Sequence, residues 1–115
     1  MLKSRGGQIM NITESDHENF AKALAAGGDL LVDFYAPWCG PCRNMLRELE
    51  TFASQNPDIA VMKVNIEEEK NREFVARFNV STIPSLFFFR DGKLQKHLTG
   101  FFRSRVLEEK LEIKK

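Results

Sequence analysis

The feature of this sequence that most limits its fold is the run of residues 30–35, which is apolar except for Asp33. A strand with one face in water alternates apolar and polar residues, whereas a parallel strand covered on both faces is apolar almost throughout. We therefore predict that this run is a central strand of a sheet with helices on both faces.

The rest of the chain changes repeatedly between strand-like and helix-like spacing of its apolar residues. Further strands are predicted for residues 8–12, 59–66, 86–89 and 94–98, and helices for residues 40–54, 68–78 and 104–111. The order βαβαβαββα predicts an α/β fold with a single mixed central sheet.

Turn residues mark several boundaries. Thr13 or Ser15 is expected to cap a first helix that runs to about residue 25 and ends at Gly27. The dipeptide Asp91-Gly92 suits the positive φ angles of a tight hairpin turn. The last two strands are therefore predicted to be antiparallel.

Length and composition bound the possible functions. The 115 residues suffice for one domain, residues 1–115, and 43% hydrophobic residues with ten Phe predict a large aromatic core. A net charge of +1 creates no field that would attract nucleic acid or anionic lipid. Neither a signal-peptide core nor a membrane-length apolar run is found, so we expect a cytoplasmic monomer without a membrane partner.

Two cysteines, Cys39 and Cys42, lie where the buried strand gives way to a helix, with Pro41 in its first turn. Free N–H groups and the positive end of the helix dipole favour an anion there, so we expect a lowered pKa for Cys39. Residues three apart on a helix are close enough for a disulfide. Cys39 is thus the predicted nucleophile and Cys42 the resolving thiol.

Two other interpretations of this pair are less favoured. A structural staple that encloses two residues would remove little entropy from the unfolded chain, because this effect grows with loop length. A zinc site needs about four ligands, and only His17 and His97 remain as further His or Cys candidates. No metal is therefore expected, and Cys-x-x-Cys in a βαβ unit indicates redox chemistry.

Residues 32–42, with the letters VDFYAPWCGPC, resemble the thioredoxin family, as do Ile83-Pro84 and Gly92, and the likeness extends over nearly the whole chain. The resemblance implies the thioredoxin fold and the reduction of disulfides in client proteins through Cys39 and Cys42. It implies no cofactor beyond this redox-active pair, and recycling by a thioredoxin reductase or an equivalent electron donor.

Asp33 is a further candidate for a chemical role. A carboxylate on an apolar central strand should have a raised pKa. The resemblance makes it the buried acid that deprotonates Cys42. The alternative is a carboxylate that reaches solvent at the end of the strand. Lys63, on the neighbouring strand, is expected either to modulate Asp33 or simply to be solvated.

The resemblance also implies a substrate-binding surface. Sequence alone predicts a trans bond at Ile83-Pro84, since few X-Pro bonds are cis, whereas the resemblance predicts a cis proline beside the cysteines. The backbone of Ile83 would then pair with an extended client peptide. The remaining surface residues are expected to be Trp38, Gly40, Pro41 and Gly100, although Trp38 could belong to the core and Gly100 to a simple turn.

Four positions depart from the common pattern of the family: Arg47 and Ser85 stand where proline and threonine are frequent, and Phe101 and Phe102 where small residues are usual. The two phenylalanines either fill the core or alter the docking surface. Three functions remain open at this point: a general disulfide reductase, a reductant dedicated to one pathway, and a binding module with incidental redox chemistry.

Overall fold

The computed structural model describes residues 12–114, which alternate strands and helices in the predicted order. The strands are β1 (Ile12–Glu14), β2 (Asp29–Tyr35), β3 (Ile59–Asn65), β4 (Ser85–Arg90) and β5 (Lys93–Thr99). The helices are α1 (His17–Ala26), α2 (Gly40–Gln55), α3 (Arg72–Arg77) and α4 (Ser104–Lys110). Apart from Ile12, the strand predicted at residues 8–12 lies outside the described residues.

All five strands belong to one mixed sheet in the order β1-β3-β2-β4-β5. Strands β1, β3 and β2 are parallel, whereas β4 is antiparallel to β2 and β5 is antiparallel to β4. The apolar run is the middle strand, and residues 30–34 are buried. The α/β class and the central position of β2 are therefore confirmed.

Helices cover both faces of the sheet, and each face has its own core. On one face, residues of α2 and α4 pack against alternate residues of the strands and form the α2-side core. On the other, α1 and α3 enclose an aromatic cluster in which ring centroids lie 5.0–6.1 Å apart, formed by Phe20, Phe34, Phe74, Phe78, Phe87 and Phe89. Such offset and edge-to-face contacts add to the free energy gained from area burial.

The predicted cap of the first helix is wrong. Asp16 caps α1, and its carboxylate accepts a hydrogen bond from the N–H of Asn19 at 3.0 Å. Thr13 belongs to β1, and the N–H of Ser15 donates to the carbonyl of Lys63 at 2.8 Å. Thr13 and Ser15 are therefore both engaged in pairing with β3. The helix consequently starts later in the chain than predicted.

The helix predicted for residues 68–78 is divided into a 3₁₀ helix (Glu69–Asn71) and the short α3. The buried side chain of Asn71 explains this break, because its amide donates to the carbonyl of Asn65 at 2.8 Å. Apolar spacing does not reveal such a link between a side chain and the preceding strand.

Turn residues behave as the sequence predicts at the other boundaries. Gly27 ends α1 with φ 78°, and Asp91 and Gly92 have φ 50° and 83° in the turn between β4 and β5. Both central residues of a type I′ hairpin turn require positive φ. The antiparallel hairpin is therefore confirmed.

Burial should decide the cost of removing a leucine. Leu49 of α2 is 0% exposed and Leu94 of β5 is 50% exposed. We expect Leu49→Ala to lower the free energy of unfolding by about 2–5 kcal/mol, because it leaves a cavity in the core. The matched control Leu94→Ala should cost less than about 1 kcal/mol. Urea denaturation of both variants measures the difference, and equal losses would contradict this description of the core.

Candidate active site

The chain passes from the buried strand β2 to the first turn of α2 through residues 36–39. The N–H of Cys39 donates to the carbonyl of Ala36 at 3.1 Å, which closes a tight turn. Cys39 is the N-cap of α2, and Gly40 and Pro41 begin the helix. Proline fits there because the first N–H groups of a helix have no partner within it.

Cys39 and Cys42 form a disulfide, with their Cα atoms 5.2 Å apart. The Sγ of Cys39 also accepts a hydrogen bond from the N–H of Cys42 at 3.2 Å. The sulfur therefore lies where the free N–H groups and the dipole of α2 stabilise negative charge. Helix geometry thus brings the two predicted reactive residues together.

Asp33 lies on β2 and is only 1% exposed, so the alternative of a solvated carboxylate is wrong. Its Oδ1 atom has no hydrogen-bond partner among residues 12–114. Burial raises the pKa of the Asp33 carboxyl well above its usual range, while the charge of Lys63 lowers this pKa and the charge of Glu14 raises it. The expected direction of the pKa shift is therefore confirmed.

A cavity of about 60 Å³ is lined by both Asp33 and Cys42. Its lining includes Asp33, Cys42, Arg43 and Lys63. This volume is enough for water, which needs polar partners of this kind. The Asp33 carboxyl and Cys42 therefore line one cavity that is large enough to hold water.

Lys63 pairs with Asp33 in the register of β3 and β2, as expected for a neighbour on the adjacent strand. Its ammonium, however, forms its ion pair with Glu14, with 3.6 Å between Nζ and Oε1. The same Glu14 oxygen accepts a hydrogen bond from the Tyr35 hydroxyl at 2.7 Å. Burial, with Glu14 as the next cause, raises the pKa of Tyr35.

The bond between Ile83 and Pro84 is cis, as the family resemblance predicts and sequence alone does not. Ile83 packs against the cluster that contains both cysteines. The N–H of Gly100 donates to the carbonyl of Pro84 at 2.9 Å, and Gly100 has φ 96°, which favours glycine. The fold thus brings Ile83 to the disulfide and bonds Gly100 to the adjoining Pro84.

Trp38 does not belong to the core, since it is 66% exposed. Its indole N–H donates to the carboxylate of Glu67 at 3.1 Å, which fixes the ring beside Cys39. Pro41 is also exposed, and Gly40 is half-buried. An apolar surface therefore adjoins the cysteines.

The four residues that depart from the family pattern lie in different parts of the fold. Arg47 lies within the continuous α2 and donates to Asn44 Oδ1 at 2.9 Å. Buried Ser85 is hydrogen-bonded through Oγ to His97 Nε2 at 2.8 Å.

For Phe101 and Phe102, the sequence predicts either core filling or a change to the docking surface, and the two residues differ in this respect. Phe102 packs against the α2-side core, and its N–H lies 3.4 Å from the sulfur of Met45. Phe101 is 42% exposed in the segment that follows Gly100. Phe102 therefore fills the core, while Phe101 adds exposed apolar surface next to Gly100.

Sequence reasoning missed Glu14, Tyr35 and Glu67. Glu67 contacts Trp38 from the loop after β3. Glu14 reaches Lys63 because β1 pairs with β3 in a register that sequence spacing does not specify. Only Tyr35 carried a sequence signal, as the polar end of the apolar run.

No group of three or more His, Cys, Asp or Glu side chains among residues 12–114 is arranged to hold a metal ion. Within this same part of the chain, none of the helices is both long and apolar enough to span a bilayer. An open cleft of about 570 Å³ lies beside Asp29 and Arg90 at the opposite end of β2 from the cysteines. The cleft is therefore separate from the disulfide.

A disulfide between neighbouring cysteines at the start of a helix, in a sheet of this topology, defines a thiol–disulfide oxidoreductase. Comparisons with known proteins agree. The profile of the thioredoxin family matches residues 11–113. The chain belongs to the thioredoxin family, and it reduces protein disulfides by thiol–disulfide exchange.

Individual relatives are similar over most of their length. A thioredoxin from Alicyclobacillus acidocaldarius is 39% identical over 103 residues, which cover 89% of this chain and 93% of the relative. A thioredoxin from Chlamydia trachomatis is 41% identical, with 72% and 78% of the two chains covered. The X-ray structure of Fasciola hepatica thioredoxin has a TM-score of 0.77 at 29% identity and covers 89% of this chain and 98% of that one. The thioredoxin fold is therefore confirmed.

Burial of Asp33 should make stability depend on pH. Above the ordinary aspartate pKa of about 3.9, the unfolded chain releases this proton first, so the free energy of unfolding falls as pH rises until the folded state ionises too. We expect Asp33→Asn to raise stability at neutral pH, by about 1.4 kcal/mol for each unit by which burial raises the pKa.

Denaturation with urea at pH 5 and pH 8 measures this effect. The control variant Asp58→Asn replaces an exposed carboxylate and should retain the pH dependence of the original chain. A pH dependence that persists unchanged in Asp33→Asn would show that Asp33 does not cause it.

Proposed function

We propose that the reduced chain is a general protein-disulfide reductase that acts as a cytoplasmic electron carrier. The observation that carries this proposal is the Cys39 sulfur at the N-terminus of α2, bonded to Cys42 and in contact with its N–H. The exchange would require no cofactor besides the two cysteines. We also infer that residues 1–115 form one domain and that the chain is a monomer.

The proposed cycle begins with both cysteines reduced. The Cys39 thiolate attacks a client disulfide, forms a mixed disulfide, and releases one client sulfur as a thiolate. Cys42 loses its proton and attacks the Cys39 sulfur, which restores the disulfide seen here and releases the second client thiolate. Two electrons pass to the client, and a thioredoxin reductase or an equivalent donor must return them with two protons.

Asp33 is the proposed acceptor of the Cys42 proton. The cavity that Asp33 and Cys42 share supports this role, as does the raised pKa of the carboxyl. A general base is most effective when its pKa lies near the working pH, and burial moves Asp33 in that direction. When the disulfide is reduced again, the same carboxyl can return the proton to Cys42.

Client binding is proposed at the surface formed by Trp38, Gly40, Pro41, Ile83, Pro84 and Gly100. The backbone at Ile83 precedes β4, so an extended client segment would pair with it as a short additional strand. The exposed indole of Trp38 would cover the client disulfide from the other side. Backbone pairing recognises any extended chain, which suits a general reductase.

Cysteine variants test the proposed roles. We expect Cys39→Ser to abolish reduction of a model protein disulfide, since a hydroxyl cannot replace the attacking thiolate. Cys42→Ser should instead retain clients on Cys39 as mixed disulfides that a thiol reagent releases. Non-reducing gels and mass spectrometry measure both results.

The same variants separate the competing functions. Full activity of Cys39→Ser would contradict the proposal, and normal complex formation by the double Cys→Ser variant would favour a binding module. Activity with one client only, and none with a general thioredoxin reductase, would favour a dedicated reductant.

Phe101 should contribute to client affinity because it extends the exposed apolar surface after Gly100. Truncation of a well-packed aromatic residue at an interface costs about 1–2 kcal/mol, so we expect Phe101→Ala to raise the KM for a protein disulfide about tenfold. The maximal rate should change little. Val106→Ala, an exposed residue of α4, is the control, and equal effects of the two changes would remove Phe101 from the docking surface.

A further inference from the structure

Three charged residues form a row across the sheet. In the strand register, Glu14 of β1 pairs with Lys63 of β3, and Lys63 pairs with Asp33 of β2. Side chains alternate between the faces of a strand, and Ile12, Val61 and Leu31, each two residues earlier, belong to the α2-side core. The three charged side chains therefore lie on the face that carries the active site.

Lys63 stands between two carboxylates but is paired with one of them. Its ammonium lies 3.6 Å from Glu14 Oε1 and 5.4 Å from the centre of the Tyr35 ring. Among the ion pairs within 4.0 Å in the described part of the chain, none includes Asp33. The Tyr35 hydroxyl fixes the Glu14 carboxylate through a hydrogen bond of 2.7 Å, and bonds to ionised acceptors are strong.

This choice of partner matters because Lys63 also lines the cavity of Asp33 and Cys42. An ammonium within about 4–6 Å of a carboxyl lowers its pKa by about 1–3 units. A Lys63 that turned from Glu14 to Asp33 would therefore stabilise the ionised carboxylate and weaken it as a base.

The other groups that line the cavity of Asp33 have partners of their own. Tyr35, Cys42 and Arg43 line the same cavity, and the Arg43 guanidinium donates to the carbonyl of Pro37 at 3.1 Å. On the opposite side of β2, the row continues with Leu86 and Leu98, which carry no charge.

We propose that Glu14 is a positioning residue for the proton step. Its carboxylate, held by the Tyr35 hydroxyl, keeps the Lys63 ammonium on the β1 side of the cavity and away from Asp33. Asp33 then keeps its proton to higher pH and accepts the Cys42 proton more strongly once ionised. The inference rests on the proposed function, in which Asp33 exchanges a proton with Cys42.

The test is the titration of the Asp33 carboxyl in the fully reduced protein, followed by carbon-13 NMR. Glu14→Gln keeps the shape of the side chain but removes the charge that holds Lys63. We expect the Asp33 midpoint to fall by about one pH unit. In a Lys63→Gln background, the same Glu14→Gln change should lower the midpoint by a clearly smaller amount, because only the direct effect of the Glu14 charge is then lost.

Two further variants sharpen the test. Tyr35→Phe removes the hydrogen bond but keeps the Glu14 charge, so it should lower the midpoint by a smaller amount. Glu73→Gln on α3 removes an exposed glutamate from the opposite face and should leave the midpoint unchanged.

The result can overturn the inference in two ways. Equal shifts with and without Lys63 would mean that Glu14 acts only through its own field, and no shift in either background would mean that it does not act at all. The titration needs no client, so it is independent of reductase activity. A failed proton role would appear separately, as a pH profile of mixed-disulfide resolution that does not follow the Asp33 midpoint.

Discussion

The direct passage from a strand buried on both faces to the N-terminus of a helix is the constraint on which this molecule depends. Strand β2 is held between β3 and β4, so residues 36–39 leave the sheet at a fixed point. Cys39 is consequently the cap of α2, and the N–H of Cys42 donates to its sulfur. The reactivity of the thiol is thus a property of the backbone, supported by the core beneath it.

The same strand carries Asp33, a residue whose burial is unfavourable. A carboxyl at the position of Asp33 loses its hydration, and no ion pair compensates it in the described part of the chain. The burial of this carboxyl therefore lowers the stability of the folded chain. The row of Glu14, Lys63 and Asp33 places one charged residue on each of the three parallel strands β1, β3 and β2.

Much of the fold and the centre of the site could be predicted from the sequence. The apolar run located β2, the spacing of apolar residues located α2, and Asp91-Gly92 located the hairpin turn. These features are local, because burial, helix periodicity and turn conformation are each encoded within a few residues. Cys39 and Cys42 were predictable for the same reason, since one helical turn brings them together.

Only the tertiary structure decided features that depend on contacts between distant segments. Asp16 rather than Thr13 or Ser15 caps α1 because β1 extends further than its pattern indicates, and Asn71 divides the third helix through its contact with Asn65. The pairing of Lys63 with Glu14 depends on strand register, which spacing alone does not specify. The sequence by itself determined the two redox-active cysteines, whereas the packed sheet decided which charges surround the Asp33 carboxyl, because that depends on strand register.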